Sequence, residues 1–539
     1  MIWQDDSLSK RGGSRWFLLF ATAIVVVFII IIRVRLLDVP LERDEGEYAY
    51  IGQLILQGEP PYRLAYSMKF PGTHVAYALI MSIFGETRRG IHMGLLLVNL
   101  ATIGCLFLLG KRMFDDIAAT GSASAYAILS LSPNVMGVFA HATHFVVLPM
   151  IAGVLLIFKA IKKGGRLRCF LPGVLLGIAF IMKQHGFFFV LFGTAWLTME
   201  ILRKRIPNKD KASPVIWYVF GAILPFALTC LVIALTGTFQ KFWFWTHDYA
   251  QAYVSIVPVR VGVHLFSMSL VGVTSTVLAI LIFPLIGLTT PFWDIKSRHY
   301  SVFMYLFVFF SFLAISPGFY FRLHYYVMVL PAIALLSGAA LSVIYRRLGM
   351  WKAGSGMVVA IVFIISLLSH VYAERNYYFK MSPREVSRMM HGTNPFPEAF
   401  EIASWIVASS LPEDRVAVLG SEPEIFFYSR RHSATRYIYM YSLTEQQPFA
   451  SLMQREAIGE IEASQPKLII FINHKYSSRL MYDSDIFRWI SEYVDAHYNR
   501  VGVVDLISNT DTAYIWGEEA KSYQPRSPEY IYLFKRKEG

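Results

Sequence analysis

Residues 16–35 read WFLLFATAIVVVFIIIIRVR, an apolar stretch interrupted only by Thr22 and closed by Arg33 and Arg35. Lys10, Arg11 and Arg15 precede it. A helix crosses the hydrocarbon of a bilayer when it offers roughly 20 apolar residues, so this stretch is long enough to span. It ends in arginines and is not followed by a small-x-small cleavage site, which predicts an uncleaved first span rather than a signal peptide.

The same texture recurs as far as His370. Further spans are expected at 91–110, 117–133, 143–161, 169–183, 186–202, 214–236, 262–288, 300–316, 323–344 and 354–371, about eleven in all with the first. The composition agrees: 55% of residues are hydrophobic and only 16% charged, against about a quarter charged in soluble domains. Beyond Val371 the runs become mixed, as in soluble chains. The expected architecture is a polytopic α-helical membrane domain over 1–371, with a first outer loop at about 35–90, followed by a soluble C-terminal α/β domain over 372–539.

Charge fixes the expected orientation. Lys111-Arg112, the Lys159–Arg168 connector, the Arg203–Lys211 connector, Lys296 with Arg298, and Arg346-Arg347 with Lys352 fall on every second connector. Cytoplasmic loops gather such residues. This predicts a cytoplasmic N-terminus and an extracytoplasmic C-terminal domain. The net charge of +13 is explained in the same way, and no basic helix or aromatic RNA-binding motif points to nucleic acid. The three cysteines, Cys105, Cys169 and Cys230, form neither a disulfide framework nor a metal spacing, and none lies in the C-terminal domain.

In that domain, helices are expected at Pro397–Leu411, Glu424–Ser429, Pro448–Ser464 and Ile486–Tyr498. Strands are expected at Arg415–Leu419, Arg436–Met440, Lys467–Asn473, Val501–Ile507, Ala513–Trp516 and Tyr530–Lys535. Such alternation predicts a partly parallel sheet covered by helices. Gly420-Ser421-Glu422-Pro423 reads as a strand-to-helix turn and nothing more specific.

The polar chemistry of the membrane part gathers on the outer connectors. The first holds two amphipathic stretches, Asp44–Gln57 and Tyr66–Phe84, and opens with Glu42-Arg43-Asp44-Glu45-Gly46-Glu47-Tyr48. Clustered carboxylates beside a span suit a general base or a cation site. Asp44 with Glu47 three residues on is also a near relative of a capping box, one that leaves Glu45 outside the cap. Arg63, Lys69 and Arg88-Arg89 add cations on a side the charge rule disfavours, and they suit either a phosphate or lipid headgroups. His141 and His144 are candidates for metal binding or for interfacial packing. His324 and Tyr325 follow Arg322, Lys183-Gln184-His185-Gly186 forms a hairpin, and Phe242-Trp243-Phe244-Trp245 forms an aromatic belt or a platform for sugar and lipid tail.

The acidic cluster, with Lys69-Phe70-Pro71-Gly72 after it, resembles the first loop of the GT-C superfamily. More closely it resembles bacterial glycosyltransferase family 39 and its relatives, the protein mannosyltransferase and aminoarabinose transferase group. Lys183–Gly186, Phe242–Trp245 and His324-Tyr325-Tyr326 with Pro331 resemble recurrent segments of its bacterial members. The resemblance covers the membrane part and extends little into the C-terminal domain. It implies transfer of one sugar from a polyprenyl-phosphate donor to a protein, lipid or glycan acceptor on the outer face. It further implies Asp44 as catalytic base with Glu45 as its neighbour, and Lys69 on the donor phosphate with Arg63 or Arg322 assisting. His324, Tyr325, Lys183, His144 and Trp243 are then substrate-site candidates. Thr143 and His144 stand where relatives often carry an acidic residue, so a divalent cation, magnesium or manganese, is an open option and not a requirement. A transporter or flippase of lipid-linked sugars is the alternative, but repeated halves and interrupted spans at mid-membrane are not read here. The sugar, the acceptor and the oligomeric state are not legible.

Overall fold

Most of the runs expected to span are helical in the computed structural model, which describes residues 12–163, 165–203, 212–352, 354–477 and 484–538. Lys10, Arg11 and most of the Arg203–Lys211 connector lie outside the described residues. Among those described, six helices are long and apolar enough to cross a membrane: Arg88–Met113, Ala142–Lys162, Gln184–Arg203, Ser213–Leu235, Leu330–Trp351 and Gly356–Ala373. A bent helix pair gives a seventh if counted as one span. Gly12–Arg35, Asp116–Leu129, Arg166–Met182 and Ser301–Ala314 are further helices on expected runs. Leu224, Leu228, Val232 and Leu235 lie exposed along one helix, as a lipid-facing stripe requires.

Two expectations are corrected here. The 262–288 run is not one helix but two, Val259–Thr274 and Leu278–Trp293, with the break at Ser275–Val277. There the hydroxyl of Thr276 is taken up by Asn134 (2.7 Å) and meets the His370 ring (3.1 Å). The span expected from residue 323 begins as a helix at Leu330, because Leu323–Met328 winds as a tighter 3₁₀ segment ahead of Pro331.

The chain divides into two compact units. One comprises Met1–Arg35, Met93–Leu228 and Pro258–Lys380; the other comprises Leu36–His92, Thr229–Val257 and Met381–Gly539. The first is built on helix packing through small residues. A Cβ placed on Gly338 would come 2.1 Å from Ser122 Oγ and 2.3 Å from the Ala118 carbonyl oxygen, so glycine is what lets Leu330–Trp351 lie against Asp116–Leu129.

The second unit joins the Leu36–His92 loop to C-terminal chain. Its sheet has the order β1-β2-β5-β3-β4, with β1 Val416–Leu419, β2 Leu468–Asn473, β3 Tyr498–Asp505, β4 Ala513–Trp516 and β5 Tyr530–Arg536. Among the described strands only β1 and β2 pair in parallel, and the near-continuous apolar runs of both are buried, as covered parallel strands require. Arg436–Met440, expected as a strand, is not one. The Arg436 N–H donates to Glu460 (2.8 Å) and its carbonyl accepts from Tyr66 (2.8 Å), so no sheet neighbour is left for that backbone. The helices Arg43–Leu56 and Pro71–Phe84 pack in the same unit. Tyr50 lies 5.2 Å from the Phe426 ring, and its hydroxyl accepts from Ser433 N–H at 2.9 Å.

Candidate functional site

The first-loop helix is capped two residues earlier than its acidic pattern suggests, and this sorts the carboxylates. Glu42 is the N-cap: its side chain accepts from Glu45 N–H at 2.9 Å, and Glu45 Oε2 accepts from Glu42 N–H at 3.1 Å. That reciprocal pair is a full capping box. The cap is therefore Glu42 with Glu45, not Asp44 with Glu47, and Glu45 is committed to it. The other Glu45 oxygen meets His92 Nε2 at 3.0 Å, while His92 Nδ1 meets the Leu37 carbonyl at 2.9 Å. A carbonyl only accepts, so Nδ1 carries hydrogen and a proton sits between Glu45 and Nε2.

Asp44 and Glu47, one turn apart, converge on Lys69. The ammonium lies 2.8 Å from Asp44 Oδ1 and 2.5 Å from Glu47 Oε2. The Tyr48 ring faces it at 4.5 Å. Ser67 Oγ donates to Glu47 at 2.5 Å and accepts from Lys69 N–H at 3.1 Å, and Tyr62 donates to the Lys69 carbonyl at 2.7 Å. Lys69 is thus fixed by its backbone as well as its head group. Burial alone would lower the Lys69 ammonium, but Asp44 and Glu47 outweigh it and hold the group well above its ordinary value. Glu47 is pushed up by burial despite Lys69. Asp44 and Lys69 remain 16% and 17% exposed against 5% for Glu47, so Asp44 is the carboxylate of the pair that a substrate reaches more readily. A divalent cation would compete with the Lys69 ammonium for these same oxygens.

Arg43 was not among the sequence candidates. It donates to the Ser421 carbonyl (2.7 Å), Tyr441 Oη (2.7 Å), Asn394 Oδ1 (3.1 Å) and Glu422 Oε1 (3.2 Å). The Gly420–Pro423 turn is therefore an arginine receptor. Glu424, on the helix that follows, packs on the same first turn: a Cβ on Gly46 would lie 2.6 Å from Glu424 N and 2.8 Å from its Oε2. Tyr439 reaches Asp44 at 3.5 Å. The available signal was position: Arg43 directly precedes Asp44 on a first turn, where acidic and not basic residues suit the helix dipole.

Other expected residues fall elsewhere. Arg63 is half exposed and is held by the Thr236 carbonyl (3.1 Å) and by Glu59 (3.7 Å). Trp243, 44% exposed, stacks on His247 at 4.9 Å. In the other unit, Lys183 faces the Tyr325 ring at 4.5 Å, and His185 lies 4.7 Å from the same ring. His324 packs edge-on to Tyr325 (4.8 Å) and stacks flat on His141 (4.0 Å, 16°). Three separated stretches of sequence thus form one cluster. His144 is buried with no hydrogen-bond partner for either ring nitrogen among the described residues, and Arg322 lies 5.5 Å from the Tyr320 ring.

Three comparisons bear on this arrangement. Residues 69–233 match the family model of dolichyl-phosphate-mannose-protein mannosyltransferases, a match that begins at Lys69. The fold is similar to that of ArnT from Cupriavidus metallidurans bound to undecaprenyl phosphate, with TM-score 0.58 and 16% identity over 86% of this chain and 94% of that one. It is also similar to the archaeal oligosaccharyltransferase AglB from Archaeoglobus fulgidus, in complex with an inhibitory peptide and a dolichol-phosphate, with TM-score 0.55 and 13% identity over 96% and 76%. A comparison with curated protein sequences finds no match. The chain has the GT-C fold, and the resemblance read from its first loop is borne out.

Proposed function

We propose that this chain is a membrane glycosyltransferase that moves one sugar from a polyprenyl-phosphate donor to a hydroxyl acceptor on the outer face of a bacterial plasma membrane. The observation that carries the reading is the Lys69 ammonium between Asp44 and Glu47. A positive charge held in a largely water-excluded setting is the group a departing phosphate needs, and an adjacent, partly exposed carboxylate is the group an attacking hydroxyl needs. The match at 69–233 and the lipid-phosphate complexes among proteins of this fold support the same class.

In the proposed step, Asp44 takes the acceptor hydroxyl proton. The acceptor oxygen forms its bond to the anomeric carbon as the bond from that carbon to the phosphate oxygen breaks. The phosphate leaves with the electron pair and is neutralised by Lys69. In the resting protein Lys69 is already neutralised by two carboxylates. An arriving donor phosphate replaces Asp44 on the ammonium, so binding the donor is what releases the base. Glu47, more buried and held by Ser67, keeps Lys69 in place. The stereochemical outcome is inversion, by analogy with the superfamily.

The test uses the purified full chain in nanodiscs with a panel of radiolabelled polyprenyl-phosphate sugars and a membrane extract as acceptor. Wild type transfers label and releases free polyprenyl phosphate. Asp44→Asn stays folded and loses transfer by at least about 100-fold, the low end of general acid–base contributions. Normal turnover by Asp44→Asn would overturn the assignment of the base, and movement of an intact donor across the bilayer without release of polyprenyl phosphate would replace the enzyme with a transporter.

A further inference from the structure

A second cationic site lies far in sequence from the first loop and wholly within the unit that holds most of the membrane helices. A cleft of about 860 Å³ is lined by Arg112, Lys159, Lys162 and Arg168 among its polar residues. They come from the last turns of Arg88–Met113 and Ala142–Lys163 and the first turn of Arg166–Met182. The acidic residue lining it is Glu200, which is already paired with Arg203 at 3.3 Å. The cleft therefore carries a clear positive excess.

Its floor is apolar and fixed. Phe158, Trp196 and Phe303 form a triangle of ring contacts, with centroids 4.6, 4.7 and 5.4 Å apart. The Arg112 guanidinium sits 5.4 Å above the Phe158 ring, so one cation is seated on that floor. Positive-inside retention explains basic residues at these helix ends, but it requires neither a walled cleft nor an aromatic floor beneath them. Cations on a rim above an apolar floor match a ligand with a phosphate at one end and hydrocarbon at the other.

We propose that this cleft binds the phosphate headgroup of an anionic membrane lipid, with the start of its acyl chains against Phe158, Trp196 and Phe303. By the charge pattern, the lipid belongs to the cytoplasmic leaflet, the side opposite the proposed chemistry. The inference does not rest on the glycosyltransferase reading.

The test titrates fluorescent phosphatidylglycerol against the full chain in zwitterionic detergent. Competitors are unlabelled phosphatidylglycerol, phosphatidylcholine of the same chains, and inorganic phosphate. The expected result is saturable binding displaced by phosphatidylglycerol and not by phosphatidylcholine. Lys159→Gln with Lys162→Gln weakens it about 30-fold, from two cations near a lipid phosphate, and Arg112→Gln weakens it separately. Lys352→Gln, a basic residue outside the cleft, leaves it unchanged. Absence of saturable binding overturns the proposal, as does equal displacement by phosphatidylcholine or unaltered binding in the double and Arg112 variants, each shown to be folded by an unchanged Tm. Displacement by inorganic phosphate as effective as by the lipid assigns the cleft to a soluble phosphate and overturns the lipid.

Discussion

Replacing Arg43 by Met separates the part played by the C-terminal chain from the chemistry. Arg43 makes four hydrogen bonds into the segment from Asn394 to Tyr441, and its carboxylate partner Glu422 is fully buried. Breaking a buried ion pair from one side leaves an uncompensated charge, at a cost of about 3–5 kcal/mol. Spread over a unit of this size, each kcal/mol moves Tm by roughly 2–4 °C, so Arg43→Met lowers the first thermal transition by about 10 °C. Tryptophan fluorescence during a thermal ramp in detergent reads it. The pairing argument makes a sharper demand on the double variant. In Arg43→Met with Glu422→Gln the stranded charge is gone, while Ser477 Oγ, now 2.6 Å from Glu422 Oε2, still has an amide oxygen to meet. The double variant must therefore melt above the sum of the two single losses. A shift under about 2 °C for Arg43→Met, or strict additivity in the double variant, would refute the clamp.

Other outcomes follow from the same unit. Lys69→Met removes the charge that receives the leaving phosphate and leaves Asp44 and Glu47 facing each other. Transfer falls by about 100-fold or more in the radiolabel assay, and recovery of full rate in this variant would remove Lys69 from the site. Gly46→Ala places a Cβ 2.6 Å from the Glu424 backbone nitrogen and lowers stability by about 1–3 kcal/mol, read as a lower Tm; an unchanged Tm would show that the two helices part freely. Burial, with Glu422 adding to it, holds the Glu424 carboxyl well above its ordinary value. An acid raised in the folded state penalises folding once its unfolded counterpart ionises above pH of about 4, and the penalty grows until the folded value is passed. Glu424→Gln therefore melts above wild type at pH 7, with a gap that closes near pH 4. A gap independent of pH would show that Glu424 titrates normally.

What the sequence yields and what it withholds divides by the range of the interaction. Hydrophobic runs such as 16–35 and 214–236 announce their helices because a spanning helix satisfies its backbone within itself. The strands over 468–473 and 530–536 are legible for a similar reason, as apolar or alternating runs bounded by turns. Asp44 and Lys69 stand out as charges between apolar runs, and the structure pairs them at 2.8 Å. The 262–288 run misled because hydropathy averages across the break at Ser275–Val277, where the deciding partners are Asn134 and His370. Arg436–Met440 misled because Glu460 and Tyr66 take its backbone groups, and neither is visible in a local pattern. The Arg43 receptor lies more than 350 residues downstream, in a turn with no motif of its own. The His141–His324 stack likewise joins positions whose local sequence gives no sign of pairing.

The order Glu42, Arg43, Asp44, Glu45, Gly46, Glu47 then has a reading that no single residue supplies. On one helical turn each side chain points in its own direction, about 100° from the last. Glu42 and Glu45 close the helix start on each other. Arg43 is held by C-terminal chain, and Gly46 gives way to Glu424 on that same chain. Asp44 and Glu47 remain, and both meet Lys69. The cap and the clamp thus occupy the sides of the turn that do not face the ammonium, and they fix the side that does. Asp44, the proposed base, is flanked by side chains that bond elsewhere: Arg43 to Ser421 and Glu422, and Glu45 to the cap and to His92. Moving the acidic pattern by one residue would preserve composition, charge and helix, yet would turn Asp44 away from Lys69. The spacing, and not the number of carboxylates, is therefore what the proposed activity depends on.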